Sequence, residues 1–151
     1  MKIKIELKGD GELRATIAKM SKEIADEVKR ETYASGLEVQ KRAKERLREF
    51  SAWDTGNLAN SILVDMVDDG KNAEIGPVAP YGPYVEYGTR PHFPPPDALE
   101  GWAKRHGFDS TWPICLAIQR RGIRPRPYLF PAYEDVIKDF LERIKKILEK
   151  K

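Results

Sequence analysis

Five side chains of this 151-residue chain stand out as candidates for acid–base, nucleophilic or metal chemistry: His92, His106, Cys115, Ser61 and Glu86. The two histidines form no metal-ligand pair with Cys115, because no HxxxH, CxxC or related spacing is present. His92 stands between Pro91 and Phe93, where an exposed or packed imidazole is the favoured reading over a catalytic one. A nucleophile–base pair would need Ser61 or Cys115 beside a histidine, and no GxSxG elbow supports it. Glu86 is the one carboxylate inside a run of aromatics and prolines; a buried acid is one reading, and a cap or an ion pair near Arg90 is preferred. Gly76, Gly82 and Gly88 fall in no phosphate-binding pattern. The residues therefore give no catalytic site, no metal site and no cofactor; a small hydrolase or ribonuclease-like toxin built on His92, His106 and Glu86 is a rival reading.

The densest basic cluster is Arg120, Arg121, Arg124 and Arg126, just before Pro127 and Tyr128. A solvated loop and a contact with an acidic neighbouring subunit rank level for it, and nucleic-acid phosphates rank third, since no nucleic-acid motif accompanies the cluster. The net charge of +3 conceals −6 over residues 51–100 and +6 over 101–151. An acidic middle and a basic end suit subunits that meet through unlike faces, although ordinary surface patterning explains them equally well. A single cysteine excludes an intrachain disulfide framework and fits a reducing compartment, and within the apolar run Ile114 to Ile118 it reads as packing. No apolar run approaches a membrane span, and Lys2, Lys4 and Glu6 interrupt the only early hydrophobic stretch, so neither membrane nor signal peptide is expected.

These residues must be positioned by one domain, 1–151. Ile3, Ile5 and Leu7 alternate with charged residues as a strand ended by Gly9 to Gly11. Apolar residues then recur at helical spacing from Leu13 to Phe50, predicting a long amphipathic helix from about Leu13 to Glu49 with Thr32 to Gly36 as the place for a bend. After a stop at Asp54 to Gly56, with the Thr55 hydroxyl capping a turn through Leu58, Ser61–Val67 and Ala73–Val78 read as a hairpin. Between Ile75 and Pro96, seven of the eleven prolines exclude a long helix or inner strand, while Tyr81, Tyr84, Val85, Tyr87 and Phe93 are too apolar for an idle linker. Such a segment either faces a partner or folds over its own core. A short helix is expected over Tyr81 to Tyr87, ended by Gly88 in a left-handed cap. Asp97 is expected to cap a helix ending near Gly107, and Trp112 to Arg121 a second one. Arg124 to Pro127 then continues extended, Tyr128 to Phe130 reads as a brief edge strand, and Val136 to Leu148 as a closing amphipathic helix. The fold class is α+β: a small, mainly antiparallel sheet with long N-terminal and C-terminal helices packed against it.

Three pieces stand in a familiar order. They are Asp54-Thr55-Gly56-Asn57-Leu58-Ala59-Asn60-Ser61-Ile62; Pro80 to Thr89, followed by Arg90-Pro91-His92-Phe93; and Gly122-Ile123-Arg124-Pro125-Arg126-Pro127-Tyr128-Leu129-Phe130-Pro131-Ala132. Together they resemble the tail-completion and head–tail joining proteins of long-tailed bacteriophages, the gene-product-ten-like minor tail family, over about residues 13 to 150. Pro83 departs from the alanine more usual there, and no weight falls on the length of Trp102 to Trp112.

The resemblance implies a structural virion or prophage protein, assembled as a homo-oligomeric ring, typically a hexamer, at the head–tail junction or the head-proximal tail end. Other tail or neck proteins are its implied partners, with non-specific DNA contact in the ring lumen left open. Its implied location is the virion, and the host cytoplasm during assembly. There are no catalytic residues to carry over, so the motif positions become folding or interface positions: Thr55, Gly56, Leu58, Tyr84, Glu86, Tyr87, Gly88, Arg90, Phe93, Arg124, Pro125, Arg126, Pro127 and Tyr128. At such positions Tyr84 and Tyr87 can bury a ring while keeping the hydroxyl bonded, and Pro125, Pro127 and Pro131 hold an extended crossing that loses little entropy on assembly. A small nucleic-acid-binding module using Arg120 to Arg126 is the alternative.

Overall fold

A computed structural model describes residues 1–5, 19, 21–52 and 54–149. Its elements are β1 (Ile3–Ile5), α1 (Lys22–Glu49), α2 (Asn57–Asn60), β2 (Ile62–Val67), β3 (Asn72–Pro77), α3 (Gly82–Tyr87), α4 (Pro96–Arg105), α5 (Trp112–Arg121) and α6 (Leu129–Glu149). The strands form one antiparallel sheet in the order β1-β3-β2, with Ile3 opposite Ile75 and Val64 opposite the same residue on the other side. The architecture is α+β.

The β2–β3 hairpin turns through Asp68, Asp69 and Gly70, all with positive φ, a conformation that Asp and Gly tolerate better than most residues. Alternation along the strands buries Ile5, Ile62, Ala73 and Ile75 on one face. Across that face lies α1, whose buried stripe is Val28, Thr32, Ser35, Gly36, Val39, Ala43 and Leu47. Helix α6 completes the core with Leu129, Ala132, Val136, Phe140, Ile144 and Ile147. The two long helices run antiparallel, since Arg46 meets Asp135 at 2.7 Å and Arg143 meets Glu31 at 2.6 Å.

Several expectations change. Helix α1 starts at Lys22 behind Ser21, whose hydroxyl accepts from the Ile24 amide, rather than running from Leu13. The earlier positions Leu7, Gly9 to Gly11, Leu13, Ile17 and Met20 lie outside the described residues. The helix is unbroken through Thr32 to Gly36. Within that run a Cβ on Gly36 would come within 2.8 Å of Val64 Cγ1, and the Thr32 hydroxyl donates back to the Val28 carbonyl at 2.9 Å. Tyr128 to Phe130 is no edge strand, because Leu129 and Phe130 already open α6. Nor does Asp97 cap α4; Pro95 holds that position and Asp97 sits in the first turn, where its charge suits the helix N-terminus.

Candidate interaction surface

Helix α3 is short, and its two faces do opposite things. Gly82 and Glu86, four residues apart, are buried, whereas Tyr81, Tyr84 and Tyr87, three residues apart, are 44%, 59% and 67% exposed. Proline at the second position suits the first helical turn, where no internal partner for its amide is needed. Gly88 ends the helix with φ +69°, and a Cβ there would strike the Ile123 carbonyl and approach the Pro125 nitrogen to 2.8 Å. In the single chain, therefore, Tyr84 and Tyr87 leave their rings uncovered. The inward side of the helix is taken by a glycine and a carboxylate, and the tyrosines face solvent.

Glu86 is 2% exposed, and its carboxylate is spent on the backbone. One oxygen accepts the amides of Tyr128 and Leu129 at 2.8 and 2.9 Å, and the other accepts that of Phe130 at 3.0 Å. These are three of the four amides that a helix N-terminus leaves unpaired, and the fourth position, Pro131, has none. Negative charge at that end is also favoured by the aligned peptide dipoles. Glu86 is thus a cap, as preferred, but for a helix more than forty residues away, and it makes no ion pair with Arg90. The residue it secures, Tyr128, is buried; burial pushes its phenol well above the ordinary range, with the Glu86 charge adding to the effect. Its hydroxyl donates to the Gly82 carbonyl at 3.4 Å.

The extended crossing runs beside α3. The Arg126 amide donates to the Val85 carbonyl at 2.8 Å, and Thr89 pairs with Ile123 in an isolated antiparallel bridge. Gly122, with φ +70°, passes so near the Thr89 carbonyl that no Cβ would fit. Residues 89–123 consequently leave and re-enter the body at one narrow base, forming an arm. Ala103 and Cys115 are buried within it, apart from the main cluster. Phe93 meets Trp112 edge to face, and Trp102 stacks with both His106 and Phe108. Helix α5 has its C-terminal end at the base and its first residue, Trp112, on Phe93. The end of α4 is tied back to the body by Arg105 and His106 on Asp54, at 2.5 and 3.2 Å. Those bonds, with Arg105 first, hold the Asp54 carboxyl below its ordinary range.

The fourteen motif positions divide. Gly56, Leu58, Glu86 and Tyr128 are buried and hold the fold, and the Thr55 hydroxyl accepts the Asn57 amide at 3.4 Å as expected. Tyr84, Tyr87, Arg90, Phe93, Arg124, Pro125, Arg126 and Pro127 are exposed, on or beside α3 and the arm base, and Gly88 is half-buried there. Arg120 and Arg121 are exposed as well, and these arginines have no ion-pair partner among the described residues. The hairpin acids of the middle segment are otherwise engaged. Lys2 meets Asp65 and Glu74, Lys4 meets Asp68, and Lys29 meets Asp69, all within one chain. The hairpin is therefore a poor receptor for a neighbour's arginines.

The residues weighed for chemistry are scattered. His92 Nδ1 lies 2.8 Å from the Arg90 carbonyl, His106 is on Asp54, Ser61 donates to the Leu58 carbonyl, and Cys115 is buried. Among the described residues no three His, Cys, Asp or Glu side chains are placed to hold a metal, and no helix is long and apolar enough to cross a membrane.

A family model described as "Bacteriophage HK97-gp10, putative tail-component" matches residues 11–88, just over half of the 151. The match takes in the Asp54 and Tyr84 motifs and stops at Gly88, where the arm begins. No curated protein and no solved structure matches the chain.

Proposed function

We propose, for a chain that belongs to the HK97-gp10-like family of bacteriophage tail components, a purely structural, non-enzymatic role: a homo-oligomeric ring at the head–tail junction or the head-proximal end of the tail. A tail component is part of the virion, and its partners are other tail or neck proteins. The observation carrying the finer reading is the tyrosine face of α3 beside Arg124 and Arg126. Three aromatics in a row, each more than two-fifths exposed, cost the isolated subunit apolar surface in water. Tyrosine and arginine are the residues that protein interfaces favour. The segment is also rigid before it binds, through Pro125, Pro127 and the Glu86 cap, so little ordering is left for assembly. Tyr84→Ala and Arg126→Ala should fold normally and fail to complete tails, scored by electron microscopy of lysates. Normal tails in both variants would remove this placement.

A second reading draws on Arg120, Arg121, Arg124 and Arg126, exposed and without acidic partners among the described residues. As a nucleic-acid contact, this cluster would bind double-stranded DNA with an affinity falling steeply as salt rises, its slope reduced by about one for each arginine removed.

A further inference from the structure

The ring reading leaves open what sits on the tyrosine–arginine face. We propose that its occupant is the arm of a second copy, so that subunits join through two unlike surfaces; this rests on the self-assembly proposed above.

The receptor carries the aromatic rings of Tyr84 and Tyr87 and the charges of Arg124 and Arg126, all exposed. Its complement must be acidic, partly apolar and unused in its own chain. The hairpin acids are excluded by their lysines. The outer face of α6 alternates Glu134, Lys138, Glu142 and Lys145 at helical spacing and balances itself. The arm remains. Asp97 and Glu100, three residues apart on α4, are exposed with no ion-pair partner among the described residues. Phe93, just before α4, and Trp112, which meets it from the start of α5, are 42% and 56% exposed and supply the apolar component. The acidic residues stand at the start of α4 and the free arginines at the arm base and crossing. One chain thus offers opposite charges at two places and pairs neither set internally. Where the two unlike patches of one subunit engage different neighbours, such contacts propagate into a ring or a filament.

The test is a charge-reversal exchange followed by sedimentation velocity over a concentration series. Variant one carries Arg124→Glu and Arg126→Glu; variant two carries Asp97→Lys and Glu100→Lys. All changed residues are exposed, and circular dichroism melts confirm that both variants fold. Wild-type protein should self-associate, and each variant alone should do so about a hundredfold more weakly, because like charges then face each other. An equimolar mixture should regain near wild-type association, since variant one's arm suits variant two's receptor and the reverse. Assembly in each variant alone, or no recovery on mixing, overturns the arm contact while leaving self-assembly standing. A wild-type chain that stays monomeric throughout overturns both. Loss of DNA binding in variant one, with self-association intact, assigns the arginines to nucleic acid and also overturns the arm contact.

Discussion

Replacing Glu86 with glutamine alters the account's most consequential side chain while nearly preserving its volume. The carboxylate takes three amides, those of Tyr128, Leu129 and Phe130, at 2.8 to 3.0 Å. A glutamine carbonyl can serve two of them, and its NH2 group then confronts the third, donor against donor. A hydrogen bond to a charged group contributes about 1.5–3 kcal/mol, and losing negative charge at the helix N-terminus removes about 0.3–1 kcal/mol more. Together these predict a loss of about 2–4 kcal/mol. Alanine, which leaves all three amides unserved, should cost about 4–5 kcal/mol. For a chain of this length each kcal/mol moves the melting point by about 2–4 °C, so glutamine should lower it by about 4–16 °C. The assay is urea unfolding followed by circular dichroism, with the midpoint falling and the slope unchanged. Glu100→Gln, on an exposed residue, is the control and should stay within about 0.5 kcal/mol. A Glu86→Gln protein as stable as that control would refute the assignment of Glu86 as the cap of α6.

Gly122→Ala should destabilise by about 1–3 kcal/mol, because φ is +70° and the new methyl meets the Thr89 carbonyl; hydrogen exchange should quicken first at the Thr89 amide, which is bonded to Ile123. Tyr84→Ala and Tyr87→Ala should change the urea midpoint by less than about 0.5 kcal/mol, as befits exposed side chains, and a large loss would put these rings back in the fold. Asp54, held below its ordinary range by Arg105 and His106, contributes stability that is present above the unfolded carboxylate range and lost as pH falls through the folded value. Wild type should therefore exceed Asp54→Asn in stability at pH 7, with the gap closing below about pH 4; a gap constant down to pH 2 would contradict the ion pair.

Periodicity exposed most of the architecture because local patterns carried it. The hairpin followed from apolar alternation around Asp68 to Gly70, and α5 from Trp112 to Arg121 emerged with its bounds. Long-range partners left no such trace. The run Tyr128-Leu129-Phe130 has strand-prone residues and reads as extended; it turns into a helix at Leu129 because Glu86, distant in sequence, collects its amides and Pro131 needs none. A signal for that role was present, since Gly82 and Glu86 share one side of a short helix and three tyrosines the other. The weak run Thr32 to Gly36 has a long-range reason of the same kind, because Gly36, of low helix propensity, lets α1 approach Val64. The self-contained arm was illegible, as its two helices look like any others until their contacts are seen.

The most direct test of the account places a photo-crosslinking amino acid at Tyr84 and irradiates particles after assembly. Tyr84 on the subunit boundary predicts a product of twice the chain's mass, with the second peptide coming from another copy's residues 89–123. Fully assembled tails that yield no copy-to-copy product at Tyr84, while crosslinkers elsewhere on the subunit do, would contradict the claim that this face joins one copy to the next.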